Sequence, residues 1–481
     1  SPPALSGARD LKGVTMTEGH IDGRKLRRAW RFLCGGAMAL LLVLGPGPAV
    51  ADVPATGAIT DAALLQVLRS GDWPAAEAAA RARLVRNPDD VGALVVLARA
   101  LRRQGDAAGA KAAATRANAQ ARTQQEKYVS AVEMAAASYD LGHPFVAQFW
   151  QRRAIEMAPN DAVRASSVRD YRVLSAANPW SFSANFDAGA SSNVNNGSLA
   201  DTVDIGGIDF TLNPDAKALS GYEISLSLKA RYKFAGFGEL PASFGAQIYT
   251  KQVVLSGDAK DTVPDARGSD YAFSALETTL GQALSPADAP LRYRLDLLAG
   301  KNWYGGDDLS NYLRVSGSAQ WGDPRRSLTQ VTLSGERQLR LDNFRNSANV
   351  VTASLSHHRR LEGGDRLGLS FALRDASSEA VEIDHRAMLA GVSYDFAKPL
   401  AGTVTVGAAL ELERRDYDAT LYGPGARRDT RGRLALQFGF PKLEFYGISP
   451  TLRLEGEETR SNVDFYDSSQ VKLRLGLRSN F

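Results

Sequence analysis

Histidine side chains are the first candidates for chemistry in this chain, because they bind metal ions and transfer protons near neutral pH. There are five of them: His20, His143, His357, His358 and His385. His357 and His358 are adjacent, so on a strand they would face opposite sides and could not both bind one ion. His143 precedes Pro144 in an expected turn. The histidines therefore form no recognisable metal-binding pattern.

The sequence also lacks the short motifs that mark common catalytic sites. It contains no Gly-x-Ser-x-Gly, no His-Glu-x-x-His and no phosphate-binding Gly-rich loop. We therefore expect no enzymatic activity, no cofactor and no metal site. A membrane hydrolase with a Ser–His pair stays open as an alternative, because nothing in the sequence singles out one serine.

Charged residues instead alternate with apolar ones, most clearly between Tyr222 and Phe234. Tyr222, Ile224 and Leu226 would share one face of a strand. Glu223 would lie on the other face, because side chains on a strand point alternately to opposite sides. In a soluble sheet the apolar face would cover a core. In a membrane barrel it would face lipid, and the charged face would line a watery lumen.

Fourteen such stretches follow one another in the C-terminal half. They are 181–191, 221–234, 243–254, 270–282, 290–304, 310–321, 327–339, 348–358, 366–374, 385–395, 402–415, 428–440, 448–460 and 470–481. An even number of strands is typical of bacterial outer-membrane barrels, and the stretches are long enough to span as tilted strands. Their polar faces carry many charges, which a soluble core would bury only at high cost. The pattern favours the membrane barrel.

The region before the barrel is rich in Ala, Arg, Leu and Gln, with apolar residues at helical spacing and a repeat of about 34 residues. The repeat is carried by small residues and prolines at equivalent positions: Gly71, Ala76 and Pro88; Gly105 and Ala110; Gly142, Ala147 and Pro159. This resembles the tetratricopeptide repeat, in which small residues let paired helices pack closely. Two interpretations stay open: a concave surface that binds a protein partner, or a helical spacer that seats the barrel.

Residues 24–51 read as a secretory signal, with a basic start, an apolar stretch at Phe32–Leu44 and a small-residue cleavage site at Ala49–Ala51. The only cysteine, Cys34, falls inside it, and the mature chain should begin near Asp52. An arginine pair in the basic start leaves a twin-arginine signal as an alternative.

The predicted fold class is therefore α+β multidomain. Upstream residues and signal peptide occupy 1–51, a periplasmic tetratricopeptide-like helical solenoid occupies 52–177, and an antiparallel transmembrane β-barrel of about fourteen strands occupies 178–481. Asn178-Pro179 marks the boundary, because a residue before proline is pushed out of helix. The net charge of only +4, without a dense basic patch, gives no support to nucleic-acid binding. We expect outer-membrane lipid to surround the barrel.

The last stretch ends as Arg474, Leu475, Gly476, Leu477, Arg478, Ser479, Asn480 and Phe481. A polar residue, a glycine and a terminal aromatic residue resemble the signal that hands outer-membrane barrels to their assembly machinery. Arg474, Gly476 and Phe481 carry the resemblance. Ser479 departs from it, because a hydrophobic residue is usual there. The resemblance implies barrel-assembly machinery and periplasmic chaperones as partners during biogenesis.

Two further motifs lie within the barrel sequence, one after its first strand and one before its last strand. The first strand ends in Ser192, Asn193, Asn195 and Asn196, and a later segment contains Ser461, Asn462, Phe465 and Tyr466. Together with the order of the domains, these motifs resemble the surface lipoprotein assembly modulator family. The resemblance implies a translocon of type XI secretion that moves client proteins or lipoproteins from the periplasm to the cell surface.

Alternatives remain for both the motifs and the function. The asparagines are predicted to be turn formers at strand ends, because asparagine tolerates left-handed backbone and bonds its own main chain. The alternative is direct contact with the client. For the whole chain, the alternatives are a polysaccharide exporter or a passive diffusion porin with a periplasmic repeat domain. A sugar path would favour aromatic and acidic lumen residues over the mixed charges present here.

Overall fold

The computed structural model describes residues 62–205, 207–422, 425–445 and 447–479. Predictions outside these residues are the signal segment 1–51 with Cys34, the mature start at Asp52, and Phe481 of the assembly signal.

Seven helices form the N-terminal part of the described chain. They are Ala62–Ser70 (α1), Trp73–Arg86 (α2), Val91–Arg103 (α3), Ala107–Gln120 (α4), Gln124–Asp140 (α5), Pro144–Glu156 (α6) and Asp161–Ala177 (α7). Most begin at a polar side chain that accepts a main-chain hydrogen bond. Asp72 and Asp106 do this for α2 and α4, and Thr123 with Glu126 forms a capping box at α5. No helix of the described residues has both the length and the apolarity needed to cross a membrane.

The repeated glycines lie in the turns between helices. Gly71, Gly105 and Gly142 have φ angles of 74°, 88° and 74°, in the left-handed region that favours glycine. The alanines of the repeat, Ala76, Ala110 and Ala147, are completely buried, as close helix packing requires. The repeat positions are therefore places where a larger side chain would strain the backbone or separate the helices.

A buried ion pair joins neighbouring repeat units inside the helical domain. Arg99 of α3 and Glu133 of α5 are 34 positions apart, which is one repeat period. The Nη2 atom of Arg99 lies 2.5 Å from Oε1 of Glu133, and both side chains are almost fully buried. Around them α3 contributes Leu94, Val95 and Val96 to the core.

Fourteen antiparallel strands form a closed barrel. They are Trp180–Ser191 (β1), Gly221–Ala235 (β4), Pro241–Leu255 (β5), Phe273–Ala283 (β6), Leu291–Tyr304 (β7), Asp307–Asp323 (β8), Ser327–Arg340 (β9), Ala348–Arg360 (β10), Arg366–Ser378 (β11), His385–Asp395 (β12), Thr405–Tyr417 (β13), Arg427–Gly439 (β14), Ile448–Ser461 (β15) and Ser468–Ser479 (β16). Each strand pairs with its neighbour in the chain, apart from the small hairpin described below, and β1 pairs with β16 to close the ring. The predicted α+β fold class and strand number are confirmed.

Some element boundaries differ from the prediction. The predicted strand at 270–282 begins only at Phe273, because Gly268–Tyr271 forms a short 3₁₀ turn. The predicted strand at 402–415 begins at Thr405, after a turn in which Ala401 and Gly402 have positive φ. The connection after β1 contains a hairpin, Thr202–Ile205 (β2) and Ile208–Thr211 (β3), that the sequence analysis missed. A short helix, Gly257–Thr262 (α8), was also missed.

The alternation of side chains places apolar residues on the outside of the barrel. In β7, Leu291, Leu295 and Leu297 are exposed, whereas Arg292 and Asp296 between them face inward and are partly covered. The same holds for β4, where Tyr222 is 57% exposed and Glu223 only 2%. An apolar exterior around a charged interior is the pattern of a barrel that sits in lipid. The predicted orientation of the strands is therefore confirmed.

The two ends of the barrel differ. β1 begins next to α7, and we call this the near end and the opposite one the far end. The connections 236–240, 284–290, 324–326, 361–365, 396–404 and 440–447 lie at the near end. The far end carries the longest connection, 192–220, and also the tight turn at Gly305-Gly306.

Candidate functional site

The interior wall of the barrel carries the largest group of ionic contacts in the described chain, and Glu223 of β4 is one centre of it. Arg474 of β16 donates from Nη2 to Oε2 of Glu223 over 2.8 Å. The amine of Lys472 lies 3.3 Å from the same carboxylate, and that of Lys251 lies 4.0 Å away. Three cations therefore surround one carboxylate that water hardly reaches.

A glycine lies between the strands that carry these residues. Gly189 of β1 is the register partner of Glu223 on one side and of Arg474 on the other. The ion pair therefore spans β1 at Gly189, where an added Cβ atom would lie 1.9 Å from the main-chain oxygen of Leu473. Arg474 also reaches Asp187 of the same strand, at 3.2 Å.

A second ionic cluster extends along β13, β14 and β15. Glu413 pairs with Arg415 at 2.9 Å and with Arg431 at 2.5 Å. On the next strand pair, Arg433 lies 3.1 Å from Glu455. Each charge in this wall has an opposite charge as its neighbour, so the wall is densely charged without a strong local excess of one sign.

The part of the interior wall that lies opposite these two ionic clusters carries different side chains. From β8 to β11 its inward positions are mostly small and neutral. They include Ser316, Ser318, Thr332, Ser334, Thr352, Ser354, Ser356 and Ser370, which occupy matching positions on neighbouring strands. A cavity of about 630 Å³ lies against the far-end half of this wall, between Glu336 and His385. The lumen thus has one charged side and one hydroxyl-rich side.

The motif near the end of the chain builds the far-end rim. Arg427 is held between two aromatic rings, with its guanidinium carbon 3.6 Å from the ring centroids of both Tyr417 and Tyr466. Phe465 packs against Tyr422 at 4.5 Å between centroids. Burial, followed by the neighbouring Tyr466 and Glu382, raises the pKa of the Tyr422 hydroxyl to about 12. The ring of Tyr422 therefore stays neutral in the rim at physiological pH.

Asn462 of the same motif connects two loops. Its Oδ1 accepts a hydrogen bond from the main-chain N–H of Arg428, at 2.6 Å, and its Nδ2 donates to the carbonyl of Ala426 at 2.9 Å. The hydroxyl of Ser461 accepts from the N–H of Val463 at 3.2 Å. These contacts are all within the rim and hold the connections after β13 and β15 together.

The first motif, which begins at Ser192, makes similar contacts in the connection after β1. Nδ2 of Asn193 donates to the carbonyls of Gly197 and Ser469, at 2.9 and 3.3 Å, and its Oδ1 accepts from the N–H of Gly197. Asn195 donates to the carbonyl of Lys217 at 2.7 Å. The backbone of Asn196 has a φ of 53°.

Ser192 secures the start of the same connection to the last strand. Its hydroxyl accepts from the N–H of Val471 at 2.9 Å, and its N–H donates to the carbonyl of Val471. The side chains of Ser192, Asn193, Asn195 and Asn462 thus bond main-chain atoms of nearby connections and of β16, and their role as turn formers stays a prediction.

The predicted assembly signal is only partly described. Arg474 points into the lumen, as stated above. Gly476 lies close to the neighbouring strands, where an added Cβ atom would be 3.2 Å from the carbonyl oxygen of Phe186 and 3.0 Å from the hydroxyl of Thr451. Phe481 lies outside the described residues.

The four histidines of the described residues are dispersed. His357 faces outward and its Nδ1 lies 2.9 Å from the hydroxyl of Thr329, whereas His358 faces the lumen. His385 packs its ring against Tyr417. Within the described parts of the chain, no three His, Cys, Asp or Glu side chains are grouped in a way that would hold a metal ion.

Among the described residues, contacts at Arg164 and at Phe145 join the helical domain to the near end of the barrel. Arg164 at the start of α7 forms an ion pair with Glu444, in the turn between β14 and β15. Phe145 at the start of α6 lies against Phe182 on the outer face of β1, with 5.3 Å between ring centroids. Sequence reasoning missed these contacts, and also missed Glu223 as a centre of the lumen network. The one signal for Glu223 in the sequence was that it is the only carboxylate on a strand face whose other residues are serine or basic.

Comparison with known proteins gives one family. The model described as surface lipoprotein assembly modifier matches residues 275–481, which include β7 to β16 and most of β6. No curated protein sequence matches the chain.

Among solved structures, OccAB3 of Acinetobacter baumannii is 8% identical, with 61% of this chain and 98% of that chain covered and a TM-score of 0.34. OmpF of Salmonella typhi, in complex with daunomycin, is 7% identical, with 62% and 96% covered and a TM-score of 0.35. OmpT of Vibrio cholerae, with loop L8 deleted, is 7% identical, with 63% and 99% covered and a TM-score of 0.31. Likeness at this level carries no argument about function.

A closed barrel with an apolar exterior and a charged lumen is typical of proteins that sit in the outer membrane. Over residues 275–481, the C-terminal part of its barrel, the chain is similar to the surface lipoprotein assembly modifier family.

Proposed function

We propose that this protein is an outer-membrane translocon that moves specific client proteins, surface lipoproteins or secreted proteins, from the periplasm to the cell surface. The observation that carries the proposal is the family match, which extends over ten complete strands of a closed barrel. The helical domain faces the periplasm and recruits the client at the near end. Barrel-assembly machinery and periplasmic chaperones act during biogenesis, and the chain carries out no chemical reaction of its own.

The lumen supports passage of a polypeptide in preference to a sugar polymer. A polypeptide carries charges of both signs, and a wall whose own charges are already paired, such as Glu413 with Arg415 and Arg431, would not hold it strongly. The hydroxyl-rich wall on β8 to β11 offers weak hydrogen bonds that do not depend on sequence. A sugar path would favour stacked aromatic and acidic side chains, whereas this lumen mixes acidic and basic ones.

The position of the helical domain supports its role in recruitment. Its two contacts with the barrel, through Arg164 and Phe145, keep α6 and α7 beside the near-end mouth. A client held by the helices would therefore be close to the lumen, which raises its local concentration there.

The test compares the full-length protein with a chain that lacks residues 62–177, each expressed with a candidate client. The measurement is client that protease can reach on intact cells. We expect the shortened chain to insert, because the barrel closes its own strand edges, but to lose client export. A third variant, Arg164→Ala, keeps the helices and weakens their attachment, so export should fall without being abolished.

Equal amounts of folded barrel, measured by heat-modifiable mobility, are the necessary control. If the shortened chain exported as much client as the full-length protein, the helices would act only as a spacer. If none of the variants exported protein and sugar polymer were released only when the barrel was present, the polysaccharide exporter would be correct.

A further inference from the structure

Arg374 of β11 lines the cavity on the hydroxyl-rich wall and forms no ion pair within the described part of the chain. The other two arginines of this cavity are paired. Nη2 of Arg314 lies 2.5 Å from a carboxylate oxygen of Glu336, and Nε of Arg415 lies 2.9 Å from one of Glu413. Of the three guanidinium groups that line the cavity, that of Arg374 is therefore the one available to bind an anion from solution.

Three hydroxyl groups lie beside Arg374 in one row, which we call the hydroxyl row. Thr352 of β10 is the register partner of Arg374. Ser334 of β9 is in turn the partner of Thr352, and Ser316 of β8 is the partner of Ser334. All three line the cavity, and no hydrogen bond joins their hydroxyls to another described residue. Because a hydroxyl can both donate and accept, the row can bond the hydroxyl groups of a ligand.

The far-end side of the cavity supplies two acceptors without donors. Nδ1 of His385 lies 2.7 Å from the carbonyl oxygen of Ile383. A carbonyl only accepts, so Nδ1 carries the proton and Nε2 of the neutral ring is an acceptor. That Nε2 is buried without a hydrogen-bond partner among the described residues, and so is Oε1 of Glu382. Both side chains line the cavity, and a buried acceptor is stabilised when a ligand donates to it.

The connection 379–384, which carries Glu382, is tied to the strands on either side of it. Oδ2 of Asp384 accepts a hydrogen bond from the N–H of Ser378 at 3.0 Å. The hydroxyl of Ser378 donates to the carbonyl of Ser347, just before β10, at 2.9 Å. The acceptors on this connection therefore have a defined position relative to the wall, and a ligand would not have to order them.

The size of the cavity and its apolar part limit the ligand further. Its volume of about 630 Å³ is within the range of small-molecule sites. Val350 and Ile383 add an apolar patch to the lining, on which carbon atoms of a ligand can lie. The ligand that matches every part of the lining is a small molecule with one acid group, several hydroxyls and a carbon skeleton that packs on the apolar patch.

We propose that this cavity is a binding site for a sugar acid, a monosaccharide that carries a carboxylate. Arg374 binds the carboxylate, the hydroxyl row exchanges hydrogen bonds with the sugar hydroxyls, and Glu382 and His385 accept from those that point to the far end. The site binds one molecule and carries out no reaction on it. It does not involve a client, and a site for one monosaccharide is not a path for a sugar polymer.

The first test measures binding of radiolabelled D-glucuronate to the purified full-length protein by equilibrium dialysis. We expect saturable binding, with D-glucose and acetate competing about ten-fold less well than unlabelled glucuronate. Glucose lacks the carboxylate that Arg374 binds, and acetate lacks the hydroxyls. Equal competition by glucose or acetate, or the absence of saturable binding, would overturn the proposal. Stronger competition by L-serine than by glucuronate would also overturn it and assign the cavity to an amino acid.

The second test removes the guanidinium group. Arg374→Met keeps a long side chain and should lower the affinity for glucuronate about ten-fold. The matched control is Arg231→Met in β4, which also removes a lumen-facing arginine without an ion pair among the described residues but lies outside the cavity. This control should leave the affinity unchanged. Equal losses from both variants would show a general effect of lumen charge and overturn the site.

A third variant tests the hydroxyl row. Thr352→Val removes one hydroxyl with little change of shape and should weaken glucuronate binding several-fold. Ser356→Ala, on the same strand face but outside the cavity, should not. Heat-modifiable mobility shows that each variant is folded, and the comparison of ligands on the unmodified protein depends on no variant. Unchanged affinity in both Arg374→Met and Thr352→Val would overturn the site, whereas the translocon proposal would stand because none of these measurements involves export.

Discussion

Arg474 and Glu223, 251 residues apart, form an ion pair that crosses the first strand of the barrel over Gly189. The pair connects β16 to β4 without using β1, and therefore ties the two neighbours of the first strand together on the lumen side. This ionic contact adds to the six described main-chain register pairs between β1 and β16.

Gly189→Ala should destabilise the barrel. The added Cβ atom would lie 1.9 Å from the main-chain oxygen of Leu473, so the two strands would have to separate. We expect a loss of about 1–3 kcal/mol, typical of overpacking. The measurement is the temperature at which the heat-modifiable band is lost. Gly335→Ala in β9, where an added Cβ meets no atom within 4 Å, is the control and should change little.

Leu355→Arg should destabilise the barrel by about 2–4 kcal/mol if it lies near the middle of the bilayer, because it places a charge in hydrocarbon. Leu355 is 43% exposed on the outer face of β10. Its neighbour Ser354 faces the lumen, so Ser354→Arg should cost much less. Urea unfolding in vesicles measures both. Similar costs for the two variants would contradict the assigned faces of the strand.

Arg99→Ala should lower the free energy of unfolding of the helical domain by about 3–5 kcal/mol, because it leaves the buried carboxylate of Glu133 without its closest partner. The double variant Arg99→Met with Glu133→Gln should recover much of this loss, because it removes both charges. The ellipticity at 222 nm of the full-length protein follows the helices. Arg81→Ala, which removes an exposed ion pair with Glu77 on α2, is the control and should have little effect.

Asn193→Ala should lower barrel stability by about 1–3 kcal/mol, because it removes three hydrogen bonds that hold the connection after β1. If the residue acts only through these bonds, client export should fall in proportion to the amount of folded barrel. Normal barrel levels with export abolished would instead favour direct contact with the client.

Asp170→Asn should stabilise the helical domain at neutral pH. Burial raises the pKa of the Asp170 carboxyl above its ordinary value, and its Oδ2 has no hydrogen-bond partner within the described residues. The folded domain therefore binds this proton more tightly than the unfolded chain does. Stability falls as pH rises from about 4, the ordinary value for aspartate, through the raised pKa.

The gain in helix melting temperature from Asp170→Asn should accordingly be larger at pH 7 than at the acidic end of this window. An equal gain at both pH values would show that the effect is unrelated to ionisation.

The strands could be predicted because their signal is local. Tyr222 and Glu223 show which face meets lipid and which meets the lumen, since the alternation of side chains depends only on the strand backbone. The glycines Gly71, Gly105 and Gly142 were visible for the same reason, because each meets the backbone requirement of one turn. By contrast, the hairpin formed by β2 and β3 was missed, because its strands have only four residues each and carry little periodic signal.

The sequence by itself therefore determined a helical region, a barrel of fourteen strands and the face of each strand, because these follow from the spacing of residues that are close in the chain. Only the tertiary structure decided that Arg474 meets Glu223 over Gly189, and that Phe145 and Arg164 attach the helices on either side of β16. These contacts join residues far apart in the chain, and they exist only once the register of every strand and the closure of the ring bring them together.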